Sequence, residues 1–273
     1  GINASSAYGD VTVSNASDIT VQSLYVNATG ISAISTYGDT QVANSGDIYA
    51  ASIYGSAIGI YAVGENSSVD NSGSITAVVD GDVARATGVI NVATYLGDAT
   101  TSNSGDIEVF AIGGTAPYGV EESLAVGIYN LAVFQDSVVE NSGNVSATAL
   151  AMDEPVDLAS SFFTAKAIGV QVVNVSGYGD AAISNTGDIH ATAATTQGFA
   201  SAWGVAAEGL GLYGDIDISN DGMVSSYAYA GIGSAISIGA YATAISGDIA
   251  VVNHGDIAST AYTERGVVNY VVD

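Results

Sequence analysis

Apolar residues recur at every second position along this chain in short bursts, as in Val11 and Val13, Ile19 and Val21, or Ile216 and Ile218. A period of two over a short stretch is that of a strand with one buried face. The residues are β-branched, which suits a pleated surface better than a helix. The bursts are organised about an asparagine. Two residues before Asn15, Asn44, Asn71, Asn103, Asn141, Asn185, Asn220 and Asn253 stand Val13, Val42, Val69, Thr101, Val139, Ile183, Ile218 and Val251. Four residues after them stand Ile19, Ile48, Ile75, Ile107, Val145, Ile189, Val224 and Ile257. Both flanking positions are predicted to be buried in strands.

A third strand is marked in most units by a small residue and a glycine before an apolar residue: Ala28-Thr29-Gly30-Ile31, Ala57-Ile58-Gly59-Ile60, Ala86-Thr87-Gly88-Val89, Ala125-Val126-Gly127-Ile128, Ala167-Ile168-Gly169-Val170 and Ala202-Trp203-Gly204-Val205. The seventh unit lacks the pattern, while Gly1-Ile2 and Gly266-Val267 match it. Each unit closes on an acidic turn at Tyr8-Gly9-Asp10, Tyr37-Gly38-Asp39, Leu96-Gly97-Asp98, Tyr178-Gly179-Asp180, Tyr213-Gly214-Asp215 or Ser246-Gly247-Asp248, with Glu65 and Asp136 in that place in the other two. Anchors are separated by 27 residues (Asn44 to Asn71) to 44 residues (Asn141 to Asn185). Such a unit is too small to bury a core alone and must stack on its neighbours. The expected fold is all-β: a single-stranded parallel β-helix, or β-solenoid, of about eight coils with three short strands each, forming one domain over residues 1–273.

An amide at the same place in every coil requires a partner. Stacked asparagines bond along the axis, amide to carbonyl, and also satisfy the local turn, so the eight anchors are expected to form a structural ladder. The glycines two residues on, Gly46, Gly73, Gly105, Gly143, Gly187, Gly222 and Gly255, are expected to supply a positive φ.

Composition narrows the function. With 34 Gly, 2 Pro, no Cys and 48% hydrophobic residues, the chain is neither a disordered tail nor a disulfide scaffold. Its 28 acidic and 3 basic residues leave a net charge of −25, which excludes nucleic acid and opposes an anionic membrane surface. Residues 223–247 carry no charge but are rich in Gly, Ser, Ala and Tyr in register with the repeat, so they are expected to form coil and no membrane insertion is expected. The chain shows no starting Met and no signal peptide and begins and ends part-way through a coil, as a processed or excised piece would. Open coil edges are expected to be covered by further β-helix coils or by another copy end to end.

Short Gly- and Asn-rich coils with β-branched ladders, such as Asn44-Ser45-Gly46-Asp47-Ile48, together with few Lys or Arg and no Cys, resemble the passenger regions of bacterial autotransporters and related surface adhesins. The resemblance covers almost the whole chain and implies a right-handed β-helix, an extracellular or cell-surface location, and an adhesive or structural role toward a host surface or glycan. The C-terminal outer-membrane barrel of that family is not in this sequence.

Two candidate sites follow. The first is a row of turn carboxylates at Asp10, Asp39, Glu65, Asp98, Asp136, Asp180, Asp215 and Asp248, with a shorter row at Asp18, Asp47, Asp106, Asp188 and Asp256. Asp10, Asp39, Asp98, Asp180, Asp215 and Asp248 are candidate Ca²⁺ ligands between coils; the alternative is that each Asp merely closes a turn. No other cofactor is expected. The second site lies in insertions at 108–127 and 146–169, where Ile107 to Ile128 and Val145 to Val170 are farther apart than the matching pair Ile19 to Ile31. Candidate binding residues there are Phe110, Tyr118, Glu121, Glu122, Asp153, Glu154, Phe162 and Phe163, which either face a ligand or fold onto the core. Catalysis is not expected. The rival class is a carbohydrate-active β-helix enzyme, a polysaccharide hydrolase or lyase, with paired carboxylates or a triad built on His190 or His254.

Overall fold

The computed structural model describes residues 1–114, 121–151, 163–175, 178–211 and 213–272. The fold is a parallel β-helix. All eight anchor-bearing strands, Val11–Asn15, Thr40–Asn44, Ser67–Asn71, Ala99–Asn103, Ser137–Asn141, Ala181–Asn185, Ile216–Asn220 and Ile249–Asn253, form one 8-stranded sheet. Its register is strict: Asn15 lies beside Asn44, Asn44 beside Asn71, and so on to Asn220 beside Asn253. This sheet is the first face of the helix. The second begins at the residue four after each anchor, in Ile19–Ser23, Ile48–Ser52, Ile75–Asp80, Ile107–Gly113 and Val145–Ala151. The third carries Ile2–Ser6, Ala28–Ser35, Ser56–Gly64, Val83–Ala93, Glu121–Ala132 and Phe163–Asn174. Successive coils repeat at about 4.8 Å.

Alternation decides what enters the core. In Val11–Asn15 and Ile216–Asn220 the first, third and fifth residues are buried and the others exposed. Ile31, Ile48, Ile60, Ile75, Ile107, Ile128 and Ile189 are among the largest wholly buried side chains of the second and third faces. The third-strand glycines and the residues after the anchor are two halves of one packing unit. A Cβ on Gly30 would lie 2.3 Å from Cγ2 of Ile48, on Gly59 2.3 Å from Cγ2 of Ile75, and on Gly88 2.4 Å from Cγ2 of Ile107. Each glycine is the hole into which the next coil's branched side chain fits, which is why both recur.

Several expectations need correction. Coils six to eight have two strands rather than three, because Ile189–Gly209, Val224–Ala244 and Ile257–Val272 run from the second face onto the third without a break. Their bend is made at Gly198, Gly233 and Gly266, with φ of 123°, 135° and 158°, values open to a residue without a Cβ. The seventh unit is regular after all, since Ser237-Ile238-Gly239 pairs in register with Ala202-Trp203-Gly204. Gly266 instead stacks on Gly233 in the bend column, so Gly266-Val267 is not a third-strand motif. The turn glycines Gly46, Gly73, Gly105, Gly143, Gly187, Gly222 and Gly255 are not among those with positive φ. Their reason is proximity: a Cβ on Gly73, Gly105 or Gly143 would sit 2.1 Å from the carbonyl oxygen of the glycine one coil before. The insertions also shrink. Residues 108–113, 121–127, 146–151 and 163–169 are strand in register with their neighbours, leaving residues 115–120 and 152–162 outside the description. Val224–Ala244, the core of the uncharged stretch, is paired on both sides, as expected of coil.

Candidate functional site

The anchor amides do what the sequence requires of them. Asn15 Nδ2 donates to Asn44 Oδ1 at 2.8 Å, and the same bond links Asn44 to Asn71, Asn71 to Asn103, Asn103 to Asn141, Asn141 to Asn185, Asn185 to Asn220 and Asn220 to Asn253. Each Nδ2 also donates to the carbonyl two residues on, as Asn71 does to Gly73 at 2.8 Å and Asn103 to Gly105 at 2.8 Å. Both amide hydrogens are thereby used in side chains such as Asn71, which is 0% exposed. That satisfies the requirement on a buried polar group and makes the row structural.

The candidate metal row has a related geometry. Oδ1 of Asp10 accepts the backbone N–H of Asp39 at 3.0 Å, Asp98 that of Asp136 at 3.1 Å, Asp136 that of Asp180 at 2.9 Å, Asp180 that of Asp215 at 2.8 Å, and Asp215 that of Asp248 at 2.8 Å. In the third coil the column is occupied by Asn66 and not Glu65: Asn66 N–H and Nδ2 donate to Asp39, and Asn66 Oδ1 accepts from Asp98 N–H at 3.1 Å. In the shorter row, Asp18, Asp47, Asp106 and Asp188 accept from Asp47, Ser74, Asn144 and Met223 N–H. Each of these accepting carboxylates thus bonds the next coil, and one of its oxygens is already engaged; Asp248 and Asp256, in the last coil, are not among them. Among the described residues no three His, Cys, Asp or Glu side chains gather as a metal site. Because Asn66 serves in the same column, Asp98→Asn should change unfolding stability by less than about 0.5 kcal/mol, while Asp98→Ala, which orphans the Asp136 N–H, should cost about 1 kcal/mol. Chemical denaturation of both variants checks this.

The candidate binding residues are dispersed. Phe110 is half-buried on the outward side of the second face, whereas Phe163 points inward and is 4% exposed. Phe163 therefore belongs to the core and offers no contact to a ligand. Glu122 bonds Arg85 at 2.9 Å on the third face, and Glu121 lies on the same strand, paired in register with Phe163. Tyr118, Asp153, Glu154 and Phe162 lie outside the described residues. A hollow of about 420 Å³ on the second face is lined by Leu24, Ala51, Ile53, Val78 and Asp80. His190 Nδ1 lies 2.6 Å from Ser225 Oγ in the neighbouring coil, and His254 pairs with Asp221 at 2.9 Å. Among the described residues neither ring bonds both a hydroxyl and a carboxylate, so no Ser-His-Asp chain is assembled.

Two features escaped the sequence reading. Asn91 and Asn130 are further buried amides. Asn91 donates to the Ser67 and Thr100 carbonyls, and Asn130 to the Ala99 carbonyl and Ser137 Oγ, while Thr101 Oγ1 donates to Asn130 Oδ1 at 2.8 Å. They buttress the first face from across the core, and nothing repetitive in the sequence announces them. The other feature is the outward side of the third face, where columns carry Ile58, Val126, Ile168 and Trp203, then Tyr61, Ile90 and Tyr129, then Ile34, Val63, Val92, Leu131 and Val173; of these Val126, Ile168 and Val173 are buried and the others half-buried. The Ala-x-Gly motif that marks this strand in the sequence carries no sign of which of its residues face outward. On that outward side Lys166 Nζ lies 4.8 Å over the Trp203 ring, and Gln171 Nε2 donates to Glu208 at 3.1 Å. Burial, aided by the Glu208 carboxylate, raises the Tyr129 phenol above its ordinary value.

No protein-family model, curated protein or solved structure significantly matches this chain.

Proposed function

We propose that this chain is a non-catalytic structural or adhesive element of a cell surface, its β-helix serving as a rigid rod. The observation that carries the reading is where the polar side chains are spent. The Asn column and the Asp columns hold coil to coil, so the polar repeat builds length and stiffness. An extracellular setting agrees with the acidic surface and the lack of Cys. The partners of such a rod are further coils or copies that continue the stack, and a host surface or glycan along its side. Coils stacked at about 4.8 Å make the eight-coil unit about 40 Å long.

Negative-stain electron microscopy of the purified chain, combined with a cell- and glycan-binding assay, tests the reading. Filaments repeating at about 40 Å or saturable surface binding is the expected result. Dispersed rods that bind nothing, or hydrolysis or elimination on a panel of acidic and neutral polysaccharides, would overturn it. The His190 and Ser225 pair makes Ser225→Ala the control for hydrolysis: activity lost in that variant would establish the enzyme.

A further inference from the structure

The third face departs from the rule that a strand's solvent side is polar. On the first face the outward residues are mostly small and polar, for example Thr12, Ser14, Ser68, Asp70, Thr100, Ser102, Asp217 and Ser219. On the third, the outward columns from Ala28–Ser35 to Val224–Ala244 are dominated by Ile, Val, Leu and aromatic side chains. Ile58, Tyr61, Val63, Ile90, Val92, Leu124, Leu131 and Trp203 are only half-buried there, flanked by their column neighbours and open outward. A continuous apolar surface of this kind marks an interaction site.

We propose that this face packs against the same face of a second copy of the chain, making a pair of β-helices side by side. Area is the first argument. Seven strands at about 4.8 Å by about six residues at 3.3 Å give about 650 Å² per copy, hence about 1,300 Å² in the pair, within the range of a stable interface. Charge is the second. The molecule carries −25 overall, so two copies repel unless they meet where the charge is balanced. Two of the 3 basic residues of the chain, Arg85 and Lys166, lie on this face, Arg85 paired with Glu122 and Lys166 over Trp203, and with Glu208, which takes the Gln171 amide, the charges of its described side chains sum to zero. The remaining acids are concentrated in the turn columns at the corners. Two flat sheets also stack naturally face to face at about 10 Å. An isologous contact closes at two copies, so it is distinct from end-to-end growth and independent of the proposed role.

Sedimentation velocity and light scattering between about 1 and 100 μM test the pairing. The expected species has twice the 27.1 kDa mass of the chain. Because its copies are like-charged and its contact apolar, raising NaCl from about 0.05 to 0.5 M should tighten it. The double variant Ile90→Lys with Leu131→Lys should weaken association at least 100-fold while making the net charge less negative, so a loss cannot come from greater overall repulsion between the copies. Ala182→Lys on the first face is the control and should leave it unchanged. Should the lysine variant fold poorly by circular dichroism, Ile90→Thr keeps a β-branched side chain and should weaken association about tenfold. A wild-type monomer at 100 μM in high salt, or equal association of the third-face and control variants, overturns the proposal. So does a monomer whose single Trp203 changes fluorescence on adding a soluble polysaccharide, an outcome that would make the face a glycan platform.

Discussion

Asn103→Ala should lower the stability of the fold by about 3–5 kcal/mol, a loss typical of the buried mid-ladder anchors. Asn103 is 1% exposed and stands mid-ladder. It takes a hydrogen bond from Asn71, gives one to Asn141 and gives one to the Gly105 carbonyl. Truncation leaves an amide hydrogen on Asn71, the Oδ1 of Asn141 and a turn carbonyl without partners at a place water does not reach. Each such orphan costs about 1–3 kcal/mol, less whatever the site recovers by relaxing. Asn103→Asp should be as damaging near neutral pH, because a carboxylate has no hydrogen to offer the two acceptors it faces. Its penalty should shrink on acidification. Burial among acceptors raises the folded-state pKa of the new acid, so stability is lowest above that pKa and returns as pH falls below it. Asn253→Ala is the contrast, since Asn253 is exposed and water replaces its partners; a loss below about 1 kcal/mol is expected. Urea unfolding followed by far-ultraviolet circular dichroism measures all three. An Asn103→Ala loss no larger than that of Asn253→Ala would remove the ladder from the account of stability.

The second large effect is expected at Gly105. A Cβ there would lie 2.1 Å from the Gly73 oxygen, 2.7 Å from its carbonyl carbon and 2.9 Å from the Ser72 carbonyl carbon. All three atoms are backbone in a coil held by its own ladders, so none can swing aside. Gly105→Ala must separate two coils locally and should cost more than about 3 kcal/mol, at or beyond the upper end for overpacking. Gly9→Ala is the matched control, because its Cβ would meet nothing nearer than the Ser6 hydroxyl at 3.4 Å; a change within about 0.5 kcal/mol is expected. Equal thermal midpoints for the two variants would show that neighbouring coils have room for a side chain at this glycine column.

Legibility in the sequence followed the periodicity. The Asn column, the inward Ile and Val positions and the stacking of coils could be read directly, because each is a chemical demand repeated in every unit. What the repeat did not reveal were the reasons behind its glycines. Gly73 and Gly105 look like turn residues needing an unusual φ, yet it is the coil beneath that excludes a side chain; sequence alone shows no coil beneath. The substitution of Asn66 for Asp in the turn column was hidden by Glu65, since the two adjacent polar residues differ only in which one faces the next coil's N–H. The bend at Gly198, Gly233 and Gly266 was obscured because no turn residues interrupt those long strands. The candidate binding set drew on unusual residues in long gaps, and Phe163 shows the weakness of that criterion: a phenylalanine beside an insertion was the next inward position of a regular strand. The third face went unread for a different reason. Its outward apolar residues interleave with an equally apolar inner set, so no period-two contrast arises there, and the small-residue and glycine motif marks the strand without saying that both of its sides are apolar.

One property of the side-chain columns bears on anything that extends the molecule. Amides hand their hydrogens forward, from Asn71 to Asn103 to Asn141, while the aspartates receive theirs from the coil ahead, as Asp98 does from Asp136 and Asp136 from Asp180. A coil therefore has an up and a down, written twice in opposite ink. Set two coils nose to nose and donor would confront donor at the asparagine corner and acceptor confront acceptor at the aspartate corner. Whatever prolongs this winding must arrive facing the same way, so a filament made from it would be a one-way track with chemically unlike tips.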